Sequence, residues 1–146
     1  MNILSIKIQA DEEYDKLVRF AIDGRDLDQL TREYEKKHYG NDGAAGGSYG
    51  FIRFIDWNRE CYFTRPTKKD DWLDGSALLL ECTCHEWGCW NLFCTIEFTD
   101  DRVIWKDFYK HHRDWKYDFY FEFDKTAYLA QFEAIKNEFP IGENGV

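Results

Sequence analysis

The feature that most constrains the fold of this chain is a change in hydrophobic periodicity along it. Short segments with apolar residues at every second position, the repeat of a strand, surround two segments with the 3.6-residue repeat of a helix. In one strand segment, Val18, Phe20 and Ile22 share one face. The helices are predicted over Asp26–His38 and Asp124–Phe139, each beginning at an aspartate that can cap it. The chain is therefore expected to be an α+β protein.

The strand segments set the expected topology. They cover residues 3–8, 16–22, 51–57, 60–64, 76–84, 90–98, 102–108 and 119–123. Two strands, a helix, several strands and a final helix favour a single antiparallel sheet of five to seven strands, with the two main helices packed on one face. The 146 residues contain no internal repeat or linker, so we expect a single domain over residues 1–146.

The composition restricts the partners and the compartment. A formal net charge of -9 repels phosphate backbones and anionic lipid, so we expect no nucleic acid or membrane partner and favour a basic protein surface. The first nine residues lack the basic start and apolar run of a signal peptide. Five cysteines are an odd number for a disulfide framework. These features predict a cytoplasmic protein with reduced thiols.

The segment with the most distinctive chemistry is residues 82–90, which holds three of the five cysteines. On a strand, Cys82 and Cys84 point to the same side, and Gly88 permits a turn that brings the third cysteine back toward them. The hairpin that follows returns residues 110–113 to the same sheet edge. Three thiolates and an imidazole form a common zinc site, so the predicted ligands are Cys82, Cys84, Cys89 and His112.

The same cysteines also have a structural interpretation, which the sequence favours. A reduced cysteine is among the most often buried residue types and behaves as a small hydrophobic side chain. The spacing also differs from the paired Cys-x2-Cys of zinc ribbons. A structural thiol cluster without a cofactor is therefore expected ahead of zinc, with redox chemistry as a third interpretation.

A basic island interrupts the acidic chain. It consists of Lys106, Lys110, His111, His112, Arg113 and Lys116. Such a run can hold a phosphate or an acidic partner. A solvated turn with lysine stems lying over tryptophan rings is more common, and it is the arrangement that we expect here.

A set of short motifs runs from Leu78 to the final helix, with one more upstream. They are Cys82-Thr83-Cys84, Gly88-Cys89-Trp90, Trp105-Lys106-Asp107-Phe108, His112-Arg113-Asp114-Trp115-Lys116-Tyr117, Phe121-Glu122-Phe123-Asp124 with Tyr128, and Asp23-Gly24-Arg25-Asp26-Leu27. Together they resemble a family of uncharacterised bacterial proteins. The chain departs from the pattern at His85, where a small residue is usual, and at Asn91, where proline is. The resemblance implies a small bacterial cytosolic protein and supplies no activity.

Two classes of function remain. The chain contains no phosphate-binding loop or serine nucleophile elbow, which favours a small acidic binding protein over an enzyme, with a toxin-neutralising immunity protein as the most specific hypothesis. The acidic residues expected to attract a basic partner are Asp11, Glu12, Glu13, Asp70, Asp71 and Asp74. The alternative is a zinc- or thiol-dependent protein that uses the cysteines of residues 82–89 together with His112.

Overall fold

A computed structural model describes residues 1–47, 49–54, 63–69, 75–83 and 90–138, and it shows an α+β architecture with antiparallel sheets. The helices are α1 (Leu27–Tyr39) and α2 (Lys125–Glu138). The strands are β1 (Leu4–Asp11), β2 (Asp15–Ile22), β3 (Arg25–Asp26), β4 (Tyr49–Gly50), β5 (Ile52–Arg53), β6 (Ala77–Cys82), β7 (Leu92–Phe98), β8 (Arg102–Lys110) and β9 (Phe121–Asp124). Residues 60–62 of the strand predicted over 60–64 lie outside the described residues. So does Phe139, the predicted end of the final helix.

The first sheet is built around a hairpin of β1 and β2. The two strands pair along their whole length, from Leu4 with Ile22 to Asp11 with Asp15. The other side of β2 pairs with β3 near the Asp23–Gly24 turn and with β5 further along. The tip of this hairpin therefore carries the acidic residues 11–13 at one end of the sheet.

The second sheet has the strand order β4-β6-β7-β8-β9. All six residues of β6 are buried, Glu81 among them, as the apolar run of residues 77–80 predicts for a central strand. In the core, the indole of Trp105 donates a hydrogen bond to the hydroxyl of Tyr128, which in turn donates to the carbonyl oxygen of Phe63. The aromatic residues thus fill the space between this sheet and α2.

The expected single sheet with both helices on one face is not confirmed. The β1–β2 hairpin does not join the central strand β6, because short strands occupy the far side of β2. A parallel bridge between Asn2 and Phe123 connects the two sheets, with the Asn2 amide donating to the Glu122 carbonyl over 2.8 Å. The alternation of apolar residues predicts strands but does not determine how they are shared between sheets.

The two helices start differently, although an aspartate precedes both. The amide of Ala127 donates to the side chain of Asp124 over 2.9 Å, which caps α2 as predicted. Asp26 makes no such bond to α1, because its carboxylate accepts a hydrogen bond from Arg19 over 2.5 Å. Within the described residues, no helix is both long enough and apolar enough to cross a membrane.

A bulge in β8 changes which residues of that strand face the core. Asp107 has a positive φ of 52°, and the register with β7 shifts by one residue at this point. Before the bulge Val103 and Trp105 belong to the hydrophobic core, while Ile104 is buried outside it; after the bulge Phe108 and Lys110 are buried. Because side chains alternate along a strand, the extra residue reverses the two faces and turns a lysine inward.

Candidate functional site

The largest concentration of buried polar groups surrounds an ion pair between α1 and the end of β8. The Nζ atom of Lys110 lies 3.1 Å from Oε1 of Glu35, and both side chains are at most 1% exposed. Such a pair is stable in a protein interior only when further hydrogen bonds compensate the lost solvation of both charges.

Glu35 receives that compensation from four donors. Its Oε1 atom accepts from Lys110 and, over 3.0 Å, from the backbone amide of Gly46. Its Oε2 atom accepts from the hydroxyls of Tyr49 and Tyr117, the latter over 2.7 Å. These five residues, here named the Glu35–Lys110 cluster, join α1, the glycine-rich loop, β4, β8 and the segment before β9.

The chemical state of the two tyrosines fits their role as donors. Burial raises the pKa of the Tyr49 hydroxyl well above its ordinary value, and the neighbouring Tyr117 and Glu35 add to the increase. Burial, followed by the hydrogen bond to Glu35, also raises the pKa of Tyr117. Both hydroxyls therefore keep their protons at neutral pH and are not suited to act as bases.

The prediction that the basic island is solvated is wrong for Lys110, because the side chain of this lysine is buried. Its ammonium group lies 4.4 Å from the ring centre of Tyr49, 5.4 Å from that of Trp115 and 5.8 Å from that of Trp90. The bulge at Asp107 causes this burial, as described above. The sequence does contain one indication of the bulge, the three-residue spacing from Trp105 to Phe108, which breaks the two-residue repeat of the strand.

The sequence also gives no indication of Glu35, because the apolar side chains of α1 at helical spacing are Leu27, Leu30 and Tyr34. The fully buried positions of this helix are instead Leu27, Thr31 and Glu35, which recur every four residues. Thr31 satisfies its hydroxyl by donating to the carbonyl of Leu27 over 2.8 Å. Two polar residues on the inner face thus rotate the buried stripe away from the one that hydrophobicity predicts.

Arg113 extends the site toward the surface. Its guanidinium donates two hydrogen bonds to the carboxylate of Asp42, over 2.8 and 3.2 Å, and lies 4.5 Å from the ring centre of Trp90. This hydrogen bonding lowers the pKa of Asp42 and raises that of Arg113. Nearby, the ring of Trp115 stacks on Tyr39 at 4.7 Å. The glycine-rich loop of residues 40–47 is therefore attached to the segment after β8 at Asp42 and to α1 at Gly46.

A small cavity opens between this loop and the end of β8. It has a volume of about 290 Å³ and is here named the Trp90 cavity; its lining residues are Gly43, Ala44, Gly47, Trp90 and Lys110. One wall is the loop backbone, and the other is an indole ring with a buried lysine beside it.

The predicted zinc ligands are only partly described. Cys82 is buried at the end of β6, whereas Cys84 and Cys89 lie outside the described residues. Asn91 connects the end of β6 with the end of β8. Its side-chain oxygen accepts a hydrogen bond from the amide of Cys82 over 2.8 Å, and its backbone carbonyl accepts one from the amide of His111 over 3.0 Å. The register thus brings Cys82 and His111 to one end of the sheet, and Asn91 holds them there.

The histidines at this edge have different surroundings. The Nδ1 atom of His111 is buried and has no hydrogen-bond partner among the described residues, and burial lowers the pKa of this imidazole. His112 is exposed, and its ring meets the edge of Trp90 at 5.3 Å between ring centres. In the described part of the chain, no three side chains of the types that bind metals stand close enough to hold an ion.

A second site of different character lies at the tip of the β1–β2 hairpin. It is an open cavity of about 590 Å³, here named the hairpin groove; its lining residues are Ala10, Asp11, Glu12, Glu13, Tyr14, Leu17, Gly50 and Phe51. The carboxylate of Asp11 accepts from the backbone amides of Glu13 and Tyr14, over 2.9 and 2.8 Å, which fixes the turn. Burial, together with the Glu13 charge, raises the pKa of Tyr14.

Comparison of the chain with family models, with curated proteins and with solved structures finds no match. The resemblance to uncharacterised bacterial proteins therefore stays a prediction. Several of its motif residues nevertheless meet in space, because Arg113 lies over the rings of Trp90 and Trp115 and Tyr117 belongs to the Glu35–Lys110 cluster.

Proposed function

We propose that this chain is a binding protein that occupies a basic surface of another protein, as a toxin-neutralising immunity protein does. The observation that carries the proposal is the hairpin groove, where three carboxylates surround an open cavity with apolar walls. The formal net charge of -9 adds a long-range attraction for a basic partner.

The carboxylates of the groove remain available to a partner. Cations near the groove are already paired with other carboxylates. Lys16 lies 2.7 Å from Asp15 and Arg19 lies 2.5 Å from Asp26. Arg53, whose guanidinium lies 5.8 Å from the ring centre of Tyr14, is 3.9 Å from Glu81. Within the described residues, the acidic side chains at positions 11–13 form no salt bridge with a lysine or arginine. Their negative charge is therefore not neutralised within this part of the fold.

The shape of the groove favours an arginine or lysine side chain as the occupant. The methylene stem of such a residue would lie against Tyr14, Leu17 and Phe51, while its charged head would meet Asp11 or Glu13. Of the six acidic residues predicted to steer association, three belong to the groove, and Asp70, Asp71 and Asp74 lie outside the described residues. Association should slow as salt rises, because the screening length is about 8 Å at physiological ionic strength.

The experiment is co-expression with each toxic product encoded by a neighbouring gene, with cell growth as the readout. The wild-type chain should protect, and the triple variant Asp11→Asn, Glu12→Gln, Glu13→Gln should not. A matched control removes the same number of charges at exposed positions elsewhere, through Asp100→Asn, Glu133→Gln and Glu138→Gln. Equal protection by both triple variants would contradict a role for the groove.

A metal- or thiol-dependent protein is the second candidate, and one observation favours it. Cys82 and His111 lie on either side of Asn91, and the buried Nδ1 atom of His111 lacks a partner in the described chain. A neutral imidazole at this edge is the form that binds zinc. Elemental analysis of the purified protein tests this candidate. One zinc per chain that is lost in Cys84→Ser and Cys89→Ser would support it, and metal-free protein with full protective activity would exclude a zinc-dependent function.

A further inference from the structure

The outer edge of β1 is covered only near the start of the chain. There the amide of Asn2 donates to the carbonyl of Glu122, which joins this edge to β9. Two residues further along, the side chain of Gln131 on α2 donates to the carbonyl oxygen of Leu4. Beyond Leu4, β1 pairs with β2 on one side and has no strand on the other, in the part of the chain that the structure describes.

The register of the hairpin shows which backbone groups face the uncovered edge. The amide of Asp23 donates to the carbonyl of Ile3, so the backbone of Ile3 points toward β2. Because the direction alternates along an antiparallel strand, the other odd positions of β1 also point toward β2, and the even positions point away. The outward amides and carbonyl oxygens of Ile6, Ile8 and Ala10 have no hydrogen-bond partner among the described residues.

The charges around this edge indicate what can pair with it. The uncovered part ends at the acidic tip of residues 11–13. A second copy of this chain would bring its own net charge of -9 to the same place, and such a charge keeps copies apart. A basic partner is attracted instead. Ile6 and Ile8 pack against the core, so residues placed directly opposite them would share an apolar face.

We propose that an extended segment of a basic partner protein adds to the outer edge of β1 as a further strand of the first sheet. Its backbone would exchange hydrogen bonds with Ile6, Ile8 and Ala10, which is the source of affinity in this mode of recognition. An antiparallel orientation, the more stable one per residue, places the amino-terminal end of the segment beside the acidic tip. A lysine or arginine at that end would meet the carboxylates there. The inference rests on the proposed function and names the backbone contact through which the partner binds.

Hydrogen exchange in the free protein, followed in two-dimensional ¹H–¹⁵N spectra, tests whether the edge is open. The amides of Lys7 and Gln9 face β2 and should be protected. Those of Ile6, Ile8 and Ala10 should exchange at least about tenfold faster. Equal protection of both sets would mean that another segment or a second copy already occupies the edge, and it would overturn the inference.

A synthetic peptide tests the strand addition itself. The peptide is acetylated and amidated, with two arginines at its amino-terminal end followed by alternating valine and threonine. It should bind with a dissociation constant on the order of 1 mM and slow the exchange of the three outward amides. A peptide with the arginines at the other end should bind at least about threefold more weakly, because its charges lie away from the acidic tip.

Two further peptides test the backbone contact, each with N-methyl groups on one of the two alternate sets of residues. Only one of them should bind, because an edge strand hydrogen-bonds with every second residue of an added strand. Absence of saturable binding by the unmethylated peptide, or equal binding of the two methylated ones, would contradict strand addition.

A substitution at the edge provides the matching test on the protein. Ile8→Pro removes one outward amide and no charge, and proline is tolerated where the amide faces out of an edge strand. It should bind the arginine peptide at least about fivefold more weakly than Ile8→Ala, which shortens the same side chain and keeps the amide. Equal binding by the two variants would overturn the inference.

The outcomes separate this inference from the proposed function. The exchange and peptide measurements use the wild-type protein, so they decide the question even if Ile8→Pro does not fold. The cell-growth assay tests the carboxylates of the hairpin groove, which none of these measurements alters. Peptide binding without protection by the wild-type chain would contradict the proposed function alone, and protection without peptide binding would contradict the strand addition alone.

Discussion

The Glu35–Lys110 cluster and the hairpin groove both contain carboxylates, and the surroundings of these carboxylates give them opposite roles. In the cluster, a carboxylate and an ammonium group are almost fully buried and are held by hydrogen bonds from four parts of the fold. In the groove, the carboxylates face an open cavity and have no cationic partner among the described residues. Burial and pairing therefore distinguish charge that stabilises this fold from charge available to a partner.

The largest effect should come from breaking the buried pair. Lys110→Met leaves Glu35 charged and without its cation, which should lower the free energy of unfolding by about 3–5 kcal/mol in urea denaturation. Adding Glu35→Gln should restore at least about half of this loss, because it removes the isolated charge. The control is Lys106→Met, which changes a partly exposed lysine of the same strand that pairs with Glu97, and it should cost less than about 1 kcal/mol. A small cost for Lys110→Met alone would show that the pair is not structurally important.

The next largest effect should come from the tyrosine donors. Tyr49→Phe removes a hydrogen bond to the buried Glu35 carboxylate and should cost about 1–3 kcal/mol, measured in the same way. Tyr117→Phe should cost less, because this tyrosine is only half-buried. The reverse order would mean that the hydroxyl of Tyr117 is the stronger donor to Glu35.

The loop offers a matched pair of glycine substitutions. Gly46 has a φ of +72°, and an added Cβ would lie 2.5 Å from the side chain of Lys36. Gly46→Ala should therefore destabilise the protein by about 1–2 kcal/mol. Gly43→Ala should be close to neutral, since a Cβ there meets nothing within 4 Å. Equal thermal denaturation midpoints for the two variants would contradict the described loop conformation.

A smaller effect should appear in the pH dependence of stability. The hydrogen bonds from Arg113 lower the pKa of Asp42 in the folded state, so this pair stabilises the fold above the unfolded pKa of about 3.9. The stabilisation is lost as pH falls through the lower folded value. In urea denaturation from pH 6 to pH 2.5, Asp42→Asn should differ most from wild type at pH 6, and the difference should shrink below about pH 4. A constant difference would contradict the role of the pair. The pKa of Asp23 is also lowered, but this residue is present in both proteins, so its contribution to the difference in stability cancels.

The sequence predicted the regular parts of this fold and missed the parts that depend on a local irregularity. Alternation located β1, β2, β7 and β8, and helical periodicity located both helices, because apolar residues recur with the period of a strand or a helix along each of these elements. The basic island was expected to be a solvated turn, and Lys110 is buried instead because of the bulge at Asp107, which alternation alone does not indicate. The division into two sheets depends on pairings between distant residues such as Asn2 and Phe123, which no local pattern records.

The two candidate sites also differ in how far the sequence predicted them. The acidic tip at residues 11–13 could be predicted from the run of acidic residues alone, because a charged residue in an exposed turn needs no partner. Glu35 was hidden on an otherwise amphipathic helix, since only the fold brings Gly46, Tyr49 and Lys110 to it. Charge in a turn is therefore easier to interpret from sequence than charge whose partners come from distant segments.

The most direct test of this account measures stability and protection together in two variants. The groove variant Asp11→Asn, Glu12→Gln, Glu13→Gln should unfold within about 1 kcal/mol of wild type, because an amide oxygen at position 11 can still accept the two hydrogen bonds that fix the turn. It should fail to protect cells from the cognate toxic product. The cluster variant Lys110→Met, Glu35→Gln should be less stable, yet it should protect at temperatures where it remains folded. A groove variant that protects fully, or a folded cluster variant that does not protect, would contradict the account.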